Sequence, residues 1–154
     1  MDPTKADKLS SIVLTVFQLN GLLIEWGNDF CLPHGLTSAR WQVLGAIAIA
    51  PQAPSAPQIG MSMGITRQGV QKQINLLIEE GLVQAHPNPE HKRSPLYVLT
   101  KQGQNTYQVM SERWEHHVQK LSSQFRATDL EATIRVLFEL SSVYAALPGH
   151  DSAE

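Results

Sequence analysis

Arg67, Gln68, Gln71, Lys72 and Asn75 fall at i, i+1, i+4, i+5 and i+8. On a helix that spacing makes one continuous polar face, opposite Val70, Ile74 and Leu77. Arginine, glutamine and asparagine can each pair two hydrogen-bonding atoms with a base edge, and lysine reaches phosphate oxygens. Thr66 stands where a side chain would cap the first turn of such a helix. An ordinary solvated face favours Glu and Lys. Here the carboxylates wait until Glu79 and Glu80, so the N-terminal half can approach a polyanion without repulsion. A second basic feature, Lys92-Arg93, closes the polar, proline-rich stretch His86–Pro95. An arginine on a slender hairpin can enter a minor groove, where narrow A·T tracts concentrate negative potential.

The distribution of charge agrees with that chemistry. The whole chain of 154 residues has a formal net charge of −2. Between Thr66 and Lys101 lie five basic residues (Arg67, Lys72, Lys92, Arg93, Lys101) and three acidic ones (Glu79, Glu80, Glu90), a local +2. The remainder carries −4. A basic segment on an acidic body is what a duplex reader needs, since phosphate contacts supply most of its affinity.

The elements that must hold these residues can be read from periodicity and punctuation. Leu9–Phe30 has apolar residues at near-helical spacing, and Leu14 and Leu22 widen the apolar arc well beyond one stripe. A helix apolar on most sides must be buried on most sides, which in so small a chain calls for a partner subunit. Leu32-Pro33-His34-Gly35 breaks it. Thr37 caps a second helix, Ser38–Ile49. Ser55-Ala56-Pro57-Gln58 has capping-box spacing and opens a short helix to about Met63, and Gly64 makes a turn. The helix Arg67–Glu80 follows, with Gly81 as its stop. Short helix, glycine turn and second helix with a polar outer face form the helix-turn-helix plan. Gly69 inside that second helix costs ~1 kcal/mol relative to alanine, and either permits close approach of a neighbouring helix or the DNA backbone or is a tolerated blemish. Leu82–Ala85 and Leu96–Leu99 read as two short strands joined by a long tip, with Pro87, Pro89 and Pro95 placed where no ladder donor is needed. Thr100 caps a long helix carrying Tyr107, Met110, Trp114, Leu121 and Phe125. Thr128-Asp129-Leu130-Glu131 reads as the capping box of a last one with Leu130, Ile134, Leu137, Phe138 and Tyr144. The expected fold is therefore mainly α with a small β wing. A winged helix-turn-helix DNA-binding region, 36–103, is flanked by a helical dimerisation region, 1–35 and 104–148, with a flexible tail at 149–154.

Other function classes find little support. The single cysteine, Cys31, allows no intrachain disulfide. The opening MDPTKADK lacks the basic-then-apolar plan of a signal peptide. The most apolar run, Ile12–Ile24, is shorter than the ~20 residues of a membrane span, so a cytoplasmic chain without a membrane partner is expected. Glu112, Glu115, His116 and His117 do not form the HExxH zinc pattern, and neither GxSxG nor a phosphate-binding glycine loop is present, so no enzymatic activity, metal or cofactor is expected. Cys31 with His34 and the pair His116-His117 could serve a metal- or redox-responsive regulator. However, adjacent histidines point to different sides of a helix, and no basic residue adjoins Cys31 in sequence to lower its pKa.

The stretch Thr66–Gly103 is similar to the MarR family of winged-helix transcriptional regulators. Gly81-Leu82-Val83, Arg93 and Leu99-Thr100-Lys101-Gln102-Gly103 match its GLV turn, wing arginine and LTxxG helix start, and Leu36-Thr37 with Trp41 and Leu44 resembles its second helix. Asn88 and His91 depart from it, standing where the family usually has aspartates. Lys92 replaces the first wing arginine, and Gly60-Met61 stands where a leucine-alanine pair is more usual. In the family the aspartate at the position of His91 helps orient the wing arginine. The resemblance implies a homodimer that binds pseudo-palindromic double-stranded DNA, as a repressor released by a small aromatic acid or phenol. Thr66, Arg67, Gln68, Gln71, Lys72, Asn75, Lys92 and Arg93 would then touch DNA, and Trp26, His34, Trp41 and Trp114 could line the ligand pocket. The alternative is a winged-helix interaction module that has lost DNA binding. The face of Arg67, Gln68, Gln71 and Lys72 is more polar than such a module would need.

Overall fold

A computed structural model describes residues 2–148. The expected tail, 149–154, lies outside the described residues. The described elements, in order, are α1 (Lys5–Cys31), a single 3-10 turn (Leu32–His34), α2 (Ser38–Ile49), α3 (Ala56–Met63), α4 (Arg67–Glu79), β1 (Val83–His86), β2 (Leu96–Leu99), α5 (Lys101–Ser122) and α6 (Ala127–Ala146). Mainly helical architecture with one small sheet is what the sequence predicts. The chain's contacts divide it into two compact units, Met1–Gln108 and Val109–Glu154, with the break inside α5.

In the first unit α1 begins earlier than its apolar residues indicate. Thr4 caps it, accepting from the Asp7 N–H (3.1 Å), while the Asp7 carboxylate accepts from the Thr4 N–H (2.8 Å) and hydroxyl (2.7 Å). These hydrogen bonds, the hydroxyl's first, hold the Asp7 carboxyl below its ordinary pKa. Counting only Ile12–Ile24 also understates the apolar length, because Lys5–His34 is long and apolar enough, by length and composition alone, to cross a membrane. A helix that lies against another subunit has the same property. Within one chain α1 buries only Gly27 and Cys31, and Leu14, Phe17, Leu19, Leu22 and Leu23 are exposed.

Gly27 is where α1 meets α2. A Cβ there would lie 2.6 Å from the Ser38 hydroxyl oxygen, and Asn28 accepts from the Ser38 N–H at 2.9 Å, satisfying an otherwise orphaned donor at the start of α2. Gly35 ends the intervening turn in the left-handed region (φ 69°). The core gathers Val43, Leu44 and Ile47 of α2, Ile59 of α3, Val70, Ile74 and Leu77 of α4, and Leu82, Val83 and Tyr97 around the hairpin. The hairpin is antiparallel, pairing Val83 with Leu99 and His86 with Leu96, so β1 starts and ends one residue later than its apolar pattern suggests. A bridge between Ser55 and Leu96, with the Tyr97 N–H donating to the Pro54 carbonyl (2.9 Å), ties β2 to the entrance of α3.

In the second unit, α6 starts differently from expectation. Arg126 takes the extended N-cap conformation and its guanidinium pairs with Asp129 (2.9 Å), so the helix begins at Ala127 and the Thr128–Glu131 capping box does not set its start. Within one chain α6 buries none of its residues, leaving Ile134, Phe138, Val143 and Tyr144 exposed.

Candidate nucleic-acid interface

The helix-turn-helix is set by two glycines and two caps. Ser55 opens α3 through the expected capping box with Gln58. Gly64 closes it in the left-handed conformation (φ 64°). The Ile65 N–H then donates to the Gly60 carbonyl at 3.0 Å. A Cβ on Gly60 would lie 2.7 Å from the Ile65 carbonyl oxygen, which explains why glycine occupies this position. The turn is too tight for any side chain there. Thr66 caps α4, its hydroxyl accepting from the Gly69 N–H at 3.1 Å. A Cβ on Gly69 would press on Ile65 (3.0 Å) and on the Thr66 hydroxyl (3.1 Å), so Gly69 makes room for its own turn rather than for a neighbouring helix.

α4 buries Val70, Ile74 and Leu77 and turns its other side outward. Thr66, Arg67, Gln68, Lys72 and Asn75 are exposed, and Gln71 is half-buried. The structure thus brings these six sequence-predicted residues onto one surface. Gln71 donates from Nε2 to Asn75 Oδ1 (2.9 Å), joining two of the candidate base readers one helical turn apart. At the far end of α4 the Glu80 carboxylate is paired with the guanidinium of Arg40 on α2. That ion pair neutralises a charge that would otherwise face any anion near the helix.

The wing carries Lys92 and Arg93 at its exposed tip. Asn88 organises the loop beneath them. Its amide donates to the Ser94 carbonyl (2.9 Å) and its side-chain oxygen accepts from the Glu90 N–H (3.1 Å). The base of the wing is locked as well. Thr100 donates from its N–H to the Leu82 carbonyl (3.0 Å) and from its hydroxyl to the Gly81 carbonyl (2.6 Å), while that hydroxyl accepts from the Gly103 N–H (3.0 Å). A Cβ on Gly103 would overlap the Leu82 carbonyl oxygen. The GLV turn and the LTxxG helix start are therefore two halves of one hydrogen-bonded junction. Sequence reasoning missed the roles of Asn88, Arg40 and Glu80. Only Asn88 had a visible signal, as a turn-forming residue between two prolines.

Trp26 and Trp41, two of the four candidate ligand residues, share one aromatic row. In the first unit Trp26 stacks on Phe30 (centroids 4.7 Å apart) and Phe30 packs against Trp41 (5.2 Å), giving a half-buried aromatic row in which Phe30 was not anticipated. His34 is exposed on the 3-10 turn. Trp114 lies in the second unit beside His117 (5.8 Å). A separate groove of about 440 Å³ between α2 and α3, lined by Ile49, Pro51, Gln58 and Ile59 among others, includes none of the four. Cys31 is buried. Among the described residues no group of three or more His, Cys, Asp or Glu side chains could hold a metal ion.

This fold, a helix-turn-helix followed by a basic wing between long flanking helices, defines a class of winged-helix regulators. The model of the MarR family matches residues 34–94. The chain is 40% identical over 108 residues to an uncharacterized protein of Mycobacterium tuberculosis, Rv2011c, covering 70% of this chain and 74% of that one. It is 30% identical over 112 residues to the uncharacterized HTH-type transcriptional regulator YwoH of Bacillus subtilis, covering 72% and 80%. Among solved structures it is similar to the MarR family transcription regulator SP03579 (TM-score 0.73, 24% identity, 92% and 93% covered). It is similar also to a cysteine mutant of E. coli MarR complexed with operator DNA (TM-score 0.71, 18% identity, 89% and 98% covered). A third likeness is to CouR of Rhodococcus jostii RHA1 bound to p-coumaroyl-CoA (TM-score 0.73, 18% identity, 84% and 91% covered). The chain belongs to the MarR family and is a transcriptional regulator of winged helix-turn-helix fold.

Proposed function

We propose that the chain binds a pseudo-palindromic operator as a homodimer. α4 would lie in the major groove, with Arg67, Gln68, Gln71 and Asn75 toward base edges and Thr66 and Lys72 toward phosphates. The wing would carry Lys92 and Arg93 to the adjacent minor groove. The observation that carries this reading is the carboxylate-free first turn and exposed polar face of α4. The E. coli protein complexed with operator DNA has the same fold.

The dimer is supported by the apolar residues that a single chain leaves in water. Large apolar side chains exposed in such numbers along α1 and along α6 mark an interface. The proposed dimerisation region comprises 1–35 and 104–148, and the exposed apolar residues of α1 and α6 would be buried against a second copy. In this reading the apolarity of α1 serves a subunit interface in the cytoplasm rather than a membrane. As a repressor, the dimer would cover its operator until a small aromatic acid or phenol stacks against Trp26 and Trp41 and lowers its affinity. Quenching of tryptophan fluorescence by the effector, with parallel loss of DNA binding, tests that step.

The deciding experiment is selection of random duplex DNA on the purified protein, with the affinity of the winners measured across salt concentrations. Half-sites about one helical turn apart, bound with steeply salt-dependent affinity, are the expected result. No enrichment, with or without cell extract to supply an effector, would overturn the reading in favour of a protein-interaction module.

A further inference from the structure

We infer that Asn88 is the positioning residue of the wing, the side chain that holds Lys92-Arg93 in the shape in which they meet DNA. The inference rests on the DNA-binding reading above and goes beyond it. The β-ladder ends at the pair His86–Leu96, so residues 87–95 receive no support from strand pairing. Pro87, Pro89 and Pro95 have no N–H to offer. Exposed residues fill this tip, except Asn88 and Ser94, which are half-buried.

Asn88 closes the loop from both sides. Its Nδ2 donates across the tip to the Ser94 carbonyl (2.9 Å), and its Oδ1 accepts from the Glu90 N–H (3.1 Å). Its own carbonyl accepts from the His91 N–H (3.3 Å), and the His91 carbonyl accepts from the Ser94 N–H (3.1 Å). A carbonyl on one side and an N–H on the other leave only one orientation of the amide that satisfies both. Ser94 directly follows Arg93, so fixing the Ser94 carbonyl fixes the backbone that carries the arginine. The exposed Arg93 side chain forms no hydrogen bond or ion pair among the described residues, so the loop, not a side-chain partner, sets its starting position. An aspartate at this position would keep the acceptor and lose the donor. It would also set a carboxylate against the Ser94 carbonyl and add negative charge close to the phosphates. The neutral amide orders the tip at no electrostatic cost, and a loop ordered in advance loses less entropy on binding.

The test compares wild type, N88A, N88D, R93A and the N88A/R93A double variant on the selected duplex, together with backbone 15N relaxation of residues 90–94 in the free protein. N88A is expected to loosen these amides and weaken binding by roughly three- to tenfold, the size expected of one or two neutral hydrogen bonds. It should weaken binding less than twofold further once Arg93 is already alanine. N88D, which retains the Glu90 contact and keeps the test open should N88A fold poorly, should loosen the tip and weaken binding likewise. Wild-type affinity in N88A, an equal loss in both backgrounds, or unchanged amide order would overturn the inference while leaving the DNA-binding reading standing. Failure of the wild-type protein to bind any duplex would overturn both.

Discussion

Gln71 and Asn75 are hydrogen-bonded to each other, and this shapes what their loss should do. Gln71→Ala and Gln68→Ala should each relax base preference by ~1–3 kcal/mol at one operator position, seen by comparing matched and mismatched duplexes. Equal loss on all sequences would remove them from the reading role. The Gln71→Ala and Asn75→Ala effects should fall short of additive, because either change breaks the same hydrogen bond. Arg93→Ala should weaken binding to all sequences alike and lower the salt dependence by about one counterion, measured as the slope of affinity against salt. The polar face of α4 is legible in the sequence, since helical spacing and side-chain type define it. The Gln71–Asn75 bond and the Asn88 bracket are not, since each requires a particular rotamer and a particular loop path.

At the scale of elements, the glycines carry the sharpest expectations. Gly103→Ala must displace either the start of α5 or the Leu82 carbonyl, and Gly60→Ala must open the turn between α3 and α4. Each should destabilise the fold by about 1–3 kcal/mol in chemical denaturation, the cost of forcing a methyl into packed backbone. Gly60 looks like a departure from the family in sequence, yet its backbone contact makes it a requirement of this turn. The start of α1 should depend on pH. The Asp7 carboxyl is held below its ordinary pKa by Thr4, so its cap stabilises the helix above the ordinary carboxylate pKa of about 4 and is lost as pH falls through the lowered value. Amide exchange of residues 7 and 8, whose N–H groups donate to Thr4, corrected for its intrinsic pH dependence, should show that first turn fraying below about pH 4 and not above. Helix positions follow from periodicity and caps. The corrections came at ends, where α6 starts two residues earlier than its capping box indicates, with Arg126 paired to Asp129.

For the whole molecule the decisive property is the apolar surface that α1 and α6 leave exposed among the described residues. Phe17 and Phe138, each 72% exposed, are the residues on which assembly can be tested. Phe17→Asp and Phe138→Asp should shift the protein from dimer to monomer in light scattering. Operator affinity should fall much more than affinity for non-specific DNA, because a monomer engages one half-site only. A wild-type monomer would overturn the dimer reading, and a detergent-dependent wild-type protein would give α1 to a membrane.

By itself the sequence determined the order of the elements, the face of α4 that would read DNA and the basic wing. These follow from local rules of spacing, capping and turn chemistry that hold wherever the chain goes. Only the tertiary structure decided which neighbours those elements meet. It placed Arg40 against Glu80, made one junction of the GLV and LTxxG segments, put Phe30 between Trp26 and Trp41, and assigned Asn88 to close the wing. The physical reason is that a hydrogen bond or ring contact depends on separations of a few ångströms between residues distant in sequence, and side-chain type alone does not set those separations.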